Sequence, residues 1–98
     1  MRVEALEFDD ANEAECARHG VTVREIRQVL EHEPAFFQNK RPHRAQRIMV
    51  GPTYGGRFLT VPLAETPVEG VWRPATAWDS GDGERGRYRS AHGQTPGR

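Results

Sequence analysis

The sequence predicts one small α+β domain with its elements in the order β-α-α-β-β-β-β-α, and three observations predict it. Two capped helical segments lie within residues 9–33, four β-rich runs broken by turn signals follow, and a further capped segment stands near residue 82. With 98 residues there is room for a single domain, assigned here to residues 1–90, and residues 91–98 (AHGQTPGR), with no apolar side chain beyond alanine, are expected to be disordered.

The opening RVEALEF alternates, with Val3 and Ala5 on one face and Leu6 and Phe8 on the other, as a short strand does. In DDANEAECARHG, Asp9 or Asp10 serves as N-cap, acids occupy the first turn, Arg18 and His19 the last, and Gly20 leaves the helix at positive φ. Thr22 and Glu25 form a capping box for a second helix, whose Val23, Ile26, Val29 and Leu30 share a face until Pro34 forbids continuation. AFFQNKRPHR then reads as a strand running into a basic loop. QRIMV, RFLTVPLA and VWRPATAW read as strands of an antiparallel meander, separated by GPTYGG and ETPVEG. Pro62 and Pro74 each remove a ladder donor, so their strands are expected to be at an edge, bulged, or shorter than the apolar runs suggest. Trp72 and Trp78 have the same parity on the last run and are expected to share a face, as a packing slab or a base-stacking platform. In DSGDGERGRYRS a helix can start from Asp79, Ser80 or Asp82, against the weakening effect of Gly81, Gly83 and Gly86.

Only 36% of residues are hydrophobic and the mean hydropathy is −0.79, so the core is expected to be thin and a stable partner would help the chain. Cys16 is the single cysteine, which excludes an intramolecular disulfide and any multi-cysteine metal site, and the four histidines show no metal spacing. No apolar stretch approaches the ~20 residues that span a bilayer, and MRVEALEF lacks a signal-peptide pattern; a cytoplasmic protein is expected. Basic and acidic residues balance at 14 each, which excludes a histone-like cation, yet the charge is segregated. Residues 34–64 hold five basic side chains (Lys40, Arg41, Arg44, Arg47 and Arg57) and no carboxylate. That island is either an anion-binding surface or a solvated loop.

The strings LEFDDAN, ARHGV, TVREIRQVL, RIMVG, GGRFLTV and the late TAW…ER..Y, spread over residues 6–88, together resemble the BrnT family of toxins within the RelE-like ribonuclease superfamily. The resemblance implies an antiparallel sheet packed by two N-terminal helices and a short C-terminal helix. It also implies the toxin of a bacterial type II toxin–antitoxin pair, cleaving RNA with neither metal nor cofactor. The partner would be a small antitoxin protein, with higher-order toxin–antitoxin complexes possible. Where the family carries an arginine after Ser-Ala in the late strand, this chain reads Thr76-Ala77-Trp78. A non-catalytic RNA- or protein-binding module on the same scaffold is therefore the alternative expectation.

Metal-free RNA cleavage needs a base for the 2′-hydroxyl, a cation for the charge that builds on the phosphate, and an acid for the leaving 5′-oxygen. Arg57, after Gly55-Gly56 and matching the family's Gly-Arg, is the leading candidate for gripping phosphate; the plain alternative is an exposed strand-end arginine. His19 matches the family's His-Gly and could carry a proton, although helix capping alone selects the same residue. Arg47, Arg44, Arg41 and Lys40 are expected to guide the RNA backbone toward Arg57, and Arg73 to reach the same space; edge charges that discourage aggregation are the alternative. Glu84 and Tyr88, at i and i+4, are assigned core or capping contacts. GPTYGG is rejected as a nucleotide loop because Arg57-Phe58 replaces Lys-Ser/Thr and a strand follows.

Overall fold

A computed structural model describes residues 2–39 and 45–92. The elements are β1 (Ala5–Leu6), α1 (Asp10–Ala17), α2 (Val23–Glu31), β2 (Ala35–Gln38), β3 (Arg47–Pro52), β4 (Phe58–Glu65), β5 (Val71–Pro74), β6 (Trp78–Asp79) and α3 (Asp82–Ala91). They form one sheet in the order β1-β5-β4-β3-β2, with β6 pairing the other half of the β4 edge that β5 occupies. The α+β class and the three helices stand. The sheet, however, is mixed: β1 runs parallel to β5, because the two helices and three strands between them carry the chain across the sheet before β5 arrives. A fifth strand also appears after the helices, since VWRPATAW divides in two. The tail assigned to residues 91–98 lies outside the described residues except for Ala91 and His92, and α3 runs on through Ala91.

Local capping chemistry builds the helices as the sequence predicts. Asp9 and Asn12 cap α1 reciprocally, the Asn12 N–H donating to Asp9 Oδ1 at 3.0 Å and the Asp9 N–H to Asn12 Oδ1 at 2.7 Å. Asn12 is buried, and its amide nitrogen donates to the Glu7 and Pro74 carbonyls, both at 3.0 Å, which ties α1 to the end of β5. Gly20, at φ +72°, turns the chain out of α1 while the Val21 N–H returns to the Cys16 carbonyl at 3.1 Å. Thr22 and Glu25 close the capping box of α2. Gly51 lets β3 approach α2: a Cβ there would meet Val29 Cγ1 at 3.1 Å and the Pro34 Cα at 3.2 Å. α3 starts from Gly81, whose N–H is taken by Glu84 Oε1 at 2.8 Å, and not from Asp79, Ser80 or Asp82.

The sheet carries a core on each face. Cys16, Val21, Ile26 and Val29 meet Met49, Leu59, Val61, Leu63 and Trp72 on the face under α1 and α2. On the other face Tyr88 of α3 packs on Ala35 and Val50, flanked by Phe37, Ile48 and Phe58. The Tyr88 hydroxyl donates to the Glu33 carbonyl at 2.9 Å, and the Arg87 guanidinium lies 4.3 Å from the centre of the Phe37 ring. Among the described residues no helix is long and apolar enough to cross a membrane.

Pro62 sits in the middle of the central strand, and it explains the divided edge. Its carbonyl accepts from the Ala75 N–H at 2.9 Å, so its nitrogen faces the same side with no hydrogen to offer, and the β4–β5 ladder stops at Pro74. When pairing resumes, four steps along β4 from Leu63 to Leu59 are matched by five from Pro74 to Asp79, a one-residue bulge. The bulge reverses parity. Trp72 therefore belongs to the core under α1 and α2, whereas Trp78, opposite Thr60, lies on the α3 face with its indole N–H 3.3 Å from Glu84. The two tryptophans do not share a face as the unbroken run suggested.

Asn12→Ala removes half a capping box and strands two carbonyls. It is expected to cost about 2 kcal/mol of unfolding free energy, measured by urea denaturation; a cost near zero would show that water replaces the amide at no penalty.

Candidate functional site

Arg57 follows the β3–β4 hairpin, where the Thr53 N–H donates to the Arg57 carbonyl at 2.8 Å and the Arg57 N–H to Thr53 Oγ1 at 3.1 Å. With its backbone fixed, the side chain turns to the helix-covered face. There Nε donates to Asp79 Oδ1 at 2.6 Å and Nη2 to Oδ2 at 3.2 Å, a bidentate fork. Nη1 donates to both Glu25 oxygens, at 3.1 and 3.0 Å, and to the Gly20 carbonyl at 2.9 Å. The expected carboxylate-free hollow is therefore not formed around Arg57. The segment is free of acids in sequence, but folding brings one from α2 and one from β6, leaving a trio of one cation and two carboxylates. The arginine side chain nevertheless keeps 31% of its surface exposed and Glu25 28%, so the pair is open to solvent on one side.

The trio shifts its own ionisations. Asp79 is held below the usual carboxylate range, chiefly by the Arg57 bond. Glu25 is also lowered: partial desolvation works the other way but is outweighed by the Thr22 N–H and by Arg57. Arg57 is pinned above its already high value, first by Asp79 and then, against desolvation, by Glu25.

Of the two residues proposed from sequence as catalytic, Arg57 reaches the backbone next to His19, donating to the Gly20 carbonyl. Their side chains engage different acids: His19 Nε2 lies 3.2 Å from Glu15 Oε2, which also accepts from the Thr76 hydroxyl at 3.0 Å. Glu15 is lowered by Thr76 first and by His19 second.

Arg73 and Arg47 do not join them. Arg73 pairs with Asp9 through two bonds of 2.9 and 2.8 Å, and Asp9 falls to about 2, chiefly through that pairing. Arg73 lies opposite Ala64 and Arg47 opposite Leu63, near the end of β4 remote from Arg57. At ~3.4 Å per residue, those backbone positions are roughly 20 Å from the hairpin. β3 and β4 do pair across GPTYGG, but the turn lies at Arg57's end of the ladder and Arg47 at the other. Arg47 instead lines a cavity of about 280 Å³ with Arg2, Glu65 and Trp72. Lys40, Arg41 and Arg44 lie outside the described residues. Glu84 and Tyr88 make the capping and core contacts expected of them.

The sequence reading missed Glu25, seen only as a cap, Asp79, seen only as a possible cap, and Glu15. The capping box was the one signal that placed the Glu25 carboxylate at the head of α2. Among the described residues no group of three or more His, Cys, Asp or Glu side chains is arranged to hold a metal ion. What the corner offers chemically is an ionised, partly exposed carboxylate beside a guanidinium. No known protein-family profile matches the chain, and no curated protein matches it.

Arg57→Ala should raise the carboxyl titration midpoints of both Glu25 and Asp79, read by ¹³C NMR. Lowered carboxyl pKa values stabilise the fold above the ordinary carboxylate pKa of about 4, and that stability is lost as pH falls through the lowered values. The stability gap between wild type and Arg57→Ala should therefore be full near neutrality and close on acidification. A gap independent of pH would show that the ion pairs contribute nothing.

Proposed function

We propose that the chain is a BrnT-like toxin of a type II toxin–antitoxin pair, and that it cleaves RNA without a metal at the corner formed by Glu25, Arg57 and His19. The observation that carries this reading is the partly exposed Glu25–Arg57 pair, bonded to the Gly20 carbonyl next to His19 in the chain: base, phosphate-stabilising cation and acid are the three functions such cleavage requires, and His19 is proposed as the acid. Glu25, kept ionised, takes the proton of the ribose 2′-hydroxyl. Arg57 exchanges Asp79 for the reacting phosphate, an exchange to which the pair is open because the Asp79 side chain is 65% accessible. His19 returns a proton to the 5′-oxygen. A cognate antitoxin protein covers this corner.

A second reading, an RNA- or protein-binding module without catalysis, is favoured by two observations. The trio at Arg57 holds two carboxylates against one cation, and Trp78, at the position of the family's late arginine, lies on the opposite face of the sheet.

Induced expression should arrest growth, and the product of the adjacent small open reading frame should relieve the arrest. Purified protein should cleave RNA in EDTA, with Glu25→Gln and Arg57→Ala each slowing cleavage by about 10²-fold or more. Absence of toxicity with retained salt-sensitive RNA binding would select the second reading; cleavage undiminished in both variants would remove the site.

A further inference from the structure

The most exposed large apolar side chain among the described residues is Tyr54, at 62%, in the hairpin that also presents Arg57. An exposed ring is ordinarily loose, but α2 and its C-cap residue hold Tyr54 at three points, one through the backbone and two through the side chain. The Tyr54 N–H donates to Gln28 Oε1 at 3.1 Å and its hydroxyl to Glu31 Oε1 at 2.7 Å. The His32 ring meets it nearly edge-on, at 5.7 Å and 75°. The ordering cost of a stacking platform is thus already met before any ligand arrives.

Beside the ring, Arg24, Arg27, Gln28 and Glu31 line a shallow groove of about 360 Å³. Arg24 and Arg27 stand three residues apart on the exposed face of α2, and among the described residues neither makes an ion pair; Arg27 rests over the Phe8 ring at 5.1 Å. The one carboxylate in the groove, Glu31, is engaged by the tyrosine hydroxyl. The groove is built on the same two elements as the corner described above: Arg24 precedes Glu25 in α2, and Tyr54 shares the hairpin with Arg57.

We propose that this groove seats one unstacked nucleotide of a single-stranded RNA, its base on the Tyr54 ring and the flanking phosphates on Arg24 and Arg27. The proposal rests on the RNA-directed reading of the neighbouring corner and adds to it the nucleotide beside the reacting phosphate. An aromatic ring stacks on any base, and two arginines follow the backbone, a combination suited to single strands. Gln28 adds an edge contact: its amide oxygen is occupied by the Tyr54 N–H, which leaves the NH₂ group to donate to an acceptor on the base.

The test is fluorescence anisotropy of the full chain with a short, labelled, mixed-sequence 2′-O-methyl oligoribonucleotide, which cannot be cleaved. Tyr54→Ala should weaken binding about tenfold, and Tyr54→Phe, which keeps the ring but loses its bond to Glu31, should weaken it clearly less. Arg24→Ala should weaken binding and reduce the slope of log affinity against log salt by about one. Wild-type affinity in both Tyr54→Ala and Arg24→Ala, or no binding by wild type, overturns the proposal. So does a Tyr54→Ala protein that binds the oligonucleotide normally but escapes its antitoxin, since the groove would then be a protein seat. The cleavage assay is read separately: binding that depends on Tyr54 without cleavage sustains the groove and removes the ribonuclease, and cleavage with binding indifferent to Tyr54 does the reverse.

Discussion

Three segments that share no backbone ladder with one another, the turn at Gly20, the head of α2 at Glu25 and β6 at Asp79, are joined through the guanidinium of Arg57. Each contact alone would be a modest, partly exposed bond. Their convergence on one rigid planar group, whose backbone is locked by Thr53, makes their geometries interdependent. The corner between α1 and α2 is thereby fixed against the rim of the sheet, beside the buried Val21, Ile26 and Leu59. The anticipated thinness of the core is visible in how the two faces differ. One holds most of the buried aliphatic residues, whereas the other depends on Tyr88 and its neighbours.

The helices were legible because capping is local. Asp9 and Thr22 speak to residues three positions away, and nothing distant can reverse those signals. The hairpin at GPTYGG was legible for the same reason. What sequence could not reveal was register: the phase of β6 depends on a bulge caused by a proline in the neighbouring strand, and one slipped residue sent Trp78 to the face opposite Trp72.

Charge patterning failed in a related way. The absence of carboxylates between residues 34 and 64 describes proximity along the chain, whereas electrostatic interaction depends on distance through space. Glu25 illustrates how much one side chain can hide, because the oxygen that closes the helical box at Thr22 also receives Arg57. The local role was readable and the distant one was not. Arg47 was likewise assigned to Arg57 from the basic stretch, yet it lies toward the far end of β4.

The phase slip after Pro74 has a consequence for how such a chain can diverge. Asp79 faces Arg57 only because an extra residue is accommodated between β5 and β6; an unbulged ladder through the same residues would set Trp78 opposite Leu59, present the indole to Arg57 and turn the carboxylate toward α3. Loss of the bulge, with no change in sequence length, would thus exchange the acid for an aromatic at that corner, whereas loss of one residue from the connection would leave the acid in place.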